Sequence, residues 1–199
     1  LNGSGDFNPG SAQLEIALPP LPGNNWSNPV SDIEFNQAGH MLVAERTMRS
    51  TLTGYTTNAH ASRLMEYRLA GVTWLPAPQV YGIGMPGVGS SCGSFPTGMN
   101  SSGGCDYGYG SWDKDKRVPV DCDSAVWSMG DALISLSVYG AQRLPASGGV
   151  AATAGVMVNL GTAKTFYGDI DIWQNCRVES DPCKGVRIIE FGQTQGVPN

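Results

Sequence analysis

Charge is scarce in this 199-residue chain, where Lys, Arg, Asp and Glu together make up 15%, against about a quarter in an ordinary soluble domain. Only four residues are lysine, at 114, 116, 164 and 184. There is no basic run, and 12 Lys and Arg against 17 Asp and Glu leave a formal charge of −5. That balance argues against nucleic acid and against an anionic membrane surface as partners. Long apolar runs are missing too. The most apolar window, Gly149 to Met157, is rich in Gly and Ala and falls far short of the roughly 18 residues a spanning helix needs, so membrane insertion is not expected. No window of about eleven residues carries helical spacing. With 41% hydrophobic residues, the composition fits neither a disordered polyampholyte nor a coiled coil. Starting at Leu1 with no basic or apolar leader ahead of it, the chain reads as a mature product or as part of a longer one.

What the chain has in quantity is turn formers, 27 Gly and 13 Pro. Residues 1–29, rich in Pro, Gly and Asn, read as an arm or a lead-in strand, with Leu14-Glu15-Ile16-Ala17-Leu18 alternating inside it. From Val30 the texture becomes that of a single domain, 30–199. Asp32 to Phe35 alternates with period two, Asn36-Gln37-Ala38-Gly39 is a turn, and His40 to Glu45 resumes as a strand, together a hairpin. The alternation would turn Ile33 and Phe35 inward and leave Asp32 and Glu34 in solvent. Further strands are expected over Ser62–Leu69, Val72–Trp74, Ser124–Trp127, Ala132–Val138, Gly155–Leu160, Phe166–Trp173 and Gly185–Phe191, with a turn at Ser128–Asp131. Residues 81–116 carry no sustained pattern and read as a Gly/Ser-rich insertion, the usual home of a functional loop. The class is all-β, built of short strands with long irregular connections.

Five cysteines stand at 92, 105, 122, 176 and 183. Cys92 and Cys105 enclose a Gly/Ser/Pro/Asn loop and Cys176 and Cys183 bracket a polar turn, spacings that suit two local disulfides with Cys122 left over. Zinc competes poorly, since there is no C-x-x-C pair and His40 and His60 lie far from the cysteines in sequence. Disulfides together with low Lys and abundant Gly, Ser, Thr and Asn point to an extracellular or cell-surface setting. Asn2, Asn25 and Asn100 head three glycosylation sequons.

Compared with itself, the chain aligns loosely over Ser31 to Ala44 and Cys122 to Ser135, at an offset of 91 or so, about two propeller blades. The segment Pro29-Val30-Ser31-Asp32-Ile33-Glu34-Phe35-Asn36, continued by Gly39-His40-Met41-Leu42-Val43-Ala44-Glu45-Arg46, resembles the inner strands of a blade in NHL-like β-propellers, of the kind found in large bacterial cell-surface proteins. Gly168 to Ile172 resembles a strand that ends a blade. The resemblance covers about 90 residues and implies antiparallel propeller-like blades. The chain holds enough residues for only four blades, so an incomplete propeller or a β-sandwich stays open.

Candidate chemistry is sparse. The pairs Asp113/Asp115, Asp121/Asp123, Asp169/Asp171 and Asp32/Glu34 share i, i+2 spacing, which on a strand aims two carboxylates to one side and could serve a hard cation such as Ca²⁺. The four loop aspartates 113, 115, 121 and 123 are the metal candidates. A Ser-His-Asp site would need His40 or His60, yet no Gly-x-Ser-x-Gly elbow exists. Gly82 to Gly87 is no dinucleotide loop, because Pro86 and the missing helix remove the phosphate cradle. Tyr107, Tyr109 and Trp112 alternate in a Gly-rich stretch and offer flat faces beside polar groups, as sugar- and protein-binding surfaces do. Trp26, Trp74, Trp127 and Trp173 read as core. Two functions are therefore expected: a non-enzymatic extracellular structural or adhesion module that packs against other copies or surface proteins, or a carbohydrate-binding or carbohydrate-hydrolysing propeller.

Overall fold

The computed structural model describes Ser4, Gly10, 14–20, 26–84, 99–134, 138–148, 157–159, Ile170 and Ile172. Among these residues the strands are β1 Val30–Phe35, β2 Met41–Glu45, β3 Met48–Thr51, β4 Gly54–Thr57, β5 Leu64–Tyr67, β6 Leu69–Ala70, β7 Thr73–Trp74 and β8 Gln79–Tyr81. They continue with β9 Ser101–Gly108, β10 Ser111–Asp113, β11 Val118–Val120, β12 Ala125–Ile134, β13 Val138–Pro145 and β14 Met157–Asn159, and a single 3-10 turn spans Ala59–Ala61. Two four-stranded antiparallel sheets, β1-β2-β5-β8 and β9-β12-β13-β14, carry the structure, with the two-stranded ribbons β3/β4, β6/β7 and β10/β11 attached. The all-β, antiparallel class agrees with the sequence. The described residues form no closed ring.

The first hairpin forms where the sequence placed it. Asn36 Oδ1 accepts from the His40 amide at 2.9 Å and the Gly39 amide donates to Asn36 O at 3.0 Å, which closes the turn and fixes the register Phe35↔Met41, Ile33↔Val43. Strand β2 then pairs with β5, Leu42↔Glu66 and Ala44↔Leu64 on one face and Met41↔Tyr67 and Val43↔Met65 on the other. Every residue of β2 and β5 is buried. A strand hydrophobic on both faces is covered on both, and two clusters result. Leu42, Ala44, Leu64, Tyr81 and Ile83 meet Cys105, Tyr107, Val126, Leu133 and Leu144 of the second sheet. On the outer face Met41, Val43, Met65 and Tyr67 pack under Ile16, Leu18 and Trp74. The lead-in segment 14–20 thus lies over its own sheet without joining it as a strand, tied by Arg63, which donates to Pro19 O at 2.7 Å.

Three expectations are corrected. The supposed insertion contains β9, nearly all of it buried. Its Ser-Ser-Gly-Gly composition hides the strand from propensity but lets chains come close: at Gly103 (φ +110°) a Cβ would meet Ser31 Oγ of the first sheet at 2.9 Å, and at Gly108 one would meet the Trp127 ring of the neighbouring strand β12 at 2.6 Å. The turn expected at Ser128–Asp131 is instead the interior of β12. Gly130 lies opposite Gly140 and Ser101, so small residues stand where neighbouring chains crowd rather than where the chain reverses. The self-alignment at 91 accordingly matches a hairpin to one strand, and the counterpart of β1-β2-β5-β8 is β9-β12-β13-β14. Finally, β1 is turned over: Ile33 and Phe35 are 45% and 49% exposed while Asp32 and Glu34 are half-buried. The register explains it, because Ile33 and Phe35 share the outer face with Val43 and Met41. The expected strands over Phe166–Trp173 and Gly185–Phe191 lie outside the described residues, apart from Ile170 and Ile172.

Candidate functional site

The sheets are joined along β1 and β9 by side chains that reach backbone groups at the β9 edge. Asp32 Oδ2 accepts from the Cys105 amide at 2.7 Å, Ser31 Oγ donates to Gly103 O at 2.8 Å, and Arg46 donates to Ser102 O at 2.6 Å. An edge whose backbone groups are satisfied this way is closed to strand addition. A second aspartate-to-backbone contact leaves β9 itself, where Asp106 Oδ2 accepts from the Ile172 amide. In each case a β-strand aspartate holds a backbone N–H of a distant segment.

Deeper between the sheets, Glu66 is buried and fully engaged. Tyr81 of the first sheet and Tyr107 of the second each donate to Oε2 at 3.1 Å, while His40 Nδ1 and Arg68 Nε lie 3.3 Å from Oε1. Burial, then the nearby Glu66 charge, pushes both tyrosines up from their ordinary range. Tyr107, expected at a binding surface, is therefore a core residue whose hydroxyl pins one sheet to the other. On the outer face Glu45 and Arg63 form a second buried pair, Nε to Oε2 at 2.8 Å and Nη2 to Oε1 at 2.5 Å, with the Arg63 amide adding a bond to Oε2 at 3.2 Å. Neither of these meetings was visible in the sequence, since Glu66, Tyr81 and Tyr107 stand on three strands separated by up to 41 positions.

Of the remaining aromatic candidates, Tyr109 and Trp112 do come together, ring centroids 6.0 Å apart and tilted 52°, at the start of the β10/β11 ribbon. Trp112 is 42% exposed. Arg143 braces the approach by donating to Tyr109 O and Gly110 O at 3.2 and 3.0 Å. The four metal candidates surround this ribbon with other tasks. Asp113 Oδ1 accepts from the Asp115 and Lys116 amides at 3.0 Å each, and Lys116 Nζ sits 3.3 Å from its other oxygen. Those contacts, the Lys116 backbone bond first, hold its carboxyl below the usual range. Asp121 and Asp123 occupy the left-handed region at φ 56° and 58°, a conformation aspartate tolerates better than most residues. Asp123 Oδ2 accepts from the Gln37 amide at 2.8 Å and Asp121 Oδ2 faces Ser111 Oγ at 3.4 Å. Among the described residues no three His, Cys, Asp or Glu side chains gather to hold a metal, so the Ca²⁺ expectation finds no assembled site there.

The cysteine expectation is also revised. Cys105 is free and fully buried in the inter-sheet core, where burial and the adjacent Asp32 push its thiol up; a pairing with Cys92 is overturned, because β9 points this side chain at the opposite sheet. Cys122, expected to be left over, is disulfide-bonded, to a partner outside the described residues. Cys92, Cys176 and Cys183 lie outside them as well. His60 does approach an acid, Nε2 to Asp131 Oδ2 at 3.8 Å, but the neighbouring Ser62 hydroxyl donates to Asn58 O at 3.1 Å and accepts from the Thr47 amide at 2.9 Å, the work of a structural hydroxyl. Asn100, a sequon head, is 4% exposed and donates to Asp131 O, a position closed to a glycan.

No family model, curated protein or solved structure matches the chain. Its function has to be argued from the arrangement itself. The feature that points outward is the outer face of the first sheet, where Ile33, Phe35 and Val80 stand 45%, 49% and 48% exposed beside the buried Met41, Val43, Met65 and Tyr67. Phe35 reaches Trp74 at 6.4 Å between ring centroids. The signal is present in the sequence as the alternation of β1, whose apolar side the structure turns outward.

Proposed function

We propose that this chain is a non-enzymatic structural or adhesion module of an extracellular or cell-surface protein or filament, in which four-stranded sheets stack face to face as propeller-like blades. One observation carries the reading: the aspartate-to-backbone clasp joins the first sheet to β9 through Asp32 and is repeated from β9 to Ile172 through Asp106. A repeated directional contact propagates, and the sheet that begins the series then has a face still to be covered. That face carries Ile33, Phe35 and Val80, apolar residues of the sort an interface core buries. The partner is another sheet of the same kind, supplied by further chain or by another copy. The disulfide at Cys122 suits the oxidising compartment this reading requires. Sedimentation velocity and negative-stain microscopy of native material test it: large particles, filaments or a longer parent protein are expected, and a monodisperse monomer of 21.0 kDa would contradict it.

The Tyr109–Trp112 pair favours a second reading, carbohydrate binding at the β10/β11 ribbon. Two tilted rings beside Asp113 and Lys116 offer apolar faces for a sugar ring and polar groups for its hydroxyls. Glycan-array binding by the wild type that disappears in Trp112→Ala would support it; an array without signal would remove it.

A further inference from the structure

The outer face of the first sheet is wider than the segment that lies on it. The register sets Ile33, Val43, Met65 and Val80 in one row across all four strands, with Phe35, Met41 and Tyr67 in a second row beside it. Neither row contains a charged residue. Their middle members on β2 and β5 are buried, whereas Ile33, Phe35 and Val80 on the edge strands β1 and β8 are half-exposed. Among the described residues the middle is covered by Ile16 and Leu18 of segment 14–20, together with Trp74.

Segment 14–20 is laid down like a strand but is not bonded like one. Ile16 and Leu18 turn to the sheet while Glu15 and Ala17 face solvent, yet among the described residues its one hydrogen bond is from the Arg63 side chain to Pro19 O at 2.7 Å. Two half-buried side chains and one bond are thus what hold it, and elements with so few contacts open at the low end of a protein's stability range. A sheet packing on this face would need the same space. Strands of a sheet lie about 4.8 Å apart and stacked sheets about 10 Å apart. One extended segment therefore shields the centre of a four-stranded face and not its flanks, and the gap between two packed sheets, filled by their own side chains, has no room for a third backbone. The segment and a partner sheet exclude one another.

We propose that the complete docking surface is the two rows together, that its occupant is the same face of a second copy of this chain, and that segment 14–20 is a strap which holds the face closed until that copy displaces it. A second copy fits because uncharged apolar rows complement themselves about a two-fold axis, as an isologous contact requires. Two chains of formal charge −5 meet there with no like charges opposed within the rows. The role of the strap rests on the stacking reading above. Only the fraction of chains with the strap lifted can bind, and the apparent affinity is reduced by that fraction.

The test is sedimentation velocity over a concentration series on the full chain, wild type against Ile16→Ser with Leu18→Ser. The variant loosens the strap and leaves the rows intact, so its dissociation constant for self-association should fall by about tenfold or more. Adding Ile33→Glu with Phe35→Glu should abolish that gain. Equal association of wild type and variant would overturn the strap while stacking stands. Weaker association of the variant would make the segment part of the interface, which contradicts displacement, and no association of either form would remove the second copy as occupant. Should the variant fail to fold, hydroxyl-radical footprinting of the wild type before and after association decides. Displacement predicts that Ile16 and Leu18 gain reactivity while Met41 and Met65 stay protected; Ile16 and Leu18 unchanged or more protected would overturn it.

Discussion

The two faces of the first sheet are built from the same strands and end in opposite states. The inner face is complete: Leu42, Ala44 and Leu64 are fully buried against the second sheet, and the one acid among them, Glu66, has four polar groups around its two oxygens. The outer face is equally apolar in its middle rows, but among the described residues only Ile16, Leu18 and Trp74 pack over them, and Ile33, Phe35 and Val80 stand half in water. The difference teaches that hydrophobic pattern alone does not say which face of a strand is inside. In β1 the half-buried residues toward the second sheet are the acids Asp32 and Glu34, of which Asp32 serves as acceptor for the Cys105 amide at the β9 edge, and the apolar residues look outward. A face with apolar residues and no complete cover is a surface with something left to bury, whereas an acid with backbone donors in front of it is already satisfied.

The comparison can be broken most severely under the outer face. Arg63→Met strands the Glu45 carboxylate in a fully buried place, and loss of one partner of such a pair costs about 3–5 kcal/mol. For a domain of this size that is a fall of about 10 °C in melting temperature, read by calorimetry. Adding Glu45→Leu should recover most of it, since a buried pair replaced by well-packed apolar groups is close to neutral. On the inner face, Tyr107→Phe removes one bond to the Glu66 carboxylate and is expected to cost about 1.5–3 kcal/mol, measured by urea unfolding.

Alkali should act on the same network. Tyr81 and Tyr107 titrate higher in the folded chain than in the unfolded one, so the folded state holds these protons more tightly. Their contribution is intact below the unfolded tyrosine range near pH 10 and is lost as pH rises from there toward the folded values. Unfolding followed by circular dichroism and tyrosinate absorbance should therefore coincide above about pH 10, and ionisation of both tyrosines in a chain still folded would contradict the burial of the network. The smallest expected effect on the isolated chain comes from Ile33→Glu with Phe35→Glu. Both sites are half-exposed, so stability should move by no more than about 0.5 kcal/mol each, while higher assemblies seen in sedimentation should disappear.

How far the sequence could be read follows the range of the forces involved. The hairpin from Val30 to Glu45 was legible because turn chemistry at Asn36 and Gly39 and the alternation on either side are local. β9 was not, since Ser101 to Gly108 becomes a strand only by pairing with β12 and packing against the first sheet, where small residues are needed. β12 ran through Ser128 and Gly130 for the same reason, as turn-forming residues used to let chains approach. Of the candidate site, the pairing of Tyr109 with Trp112 was legible from spacing, whereas the role of Tyr107 depended on Glu66, and the state of Cys105 on which way its strand faced. Contacts between residues far apart in sequence decided all of these.

Hydroxyl-radical footprinting of Ile33, Phe35 and Val80, in the native material and in the isolated chain, addresses the central claim most directly. Stacking of sheets predicts that all three react readily in the isolated chain and are protected in the native material, with Leu14, 86% exposed, unchanged as a control. Equal reactivity of the three residues in both samples would show that nothing covers the outer face, and the account of this chain as a stacking module would be wrong.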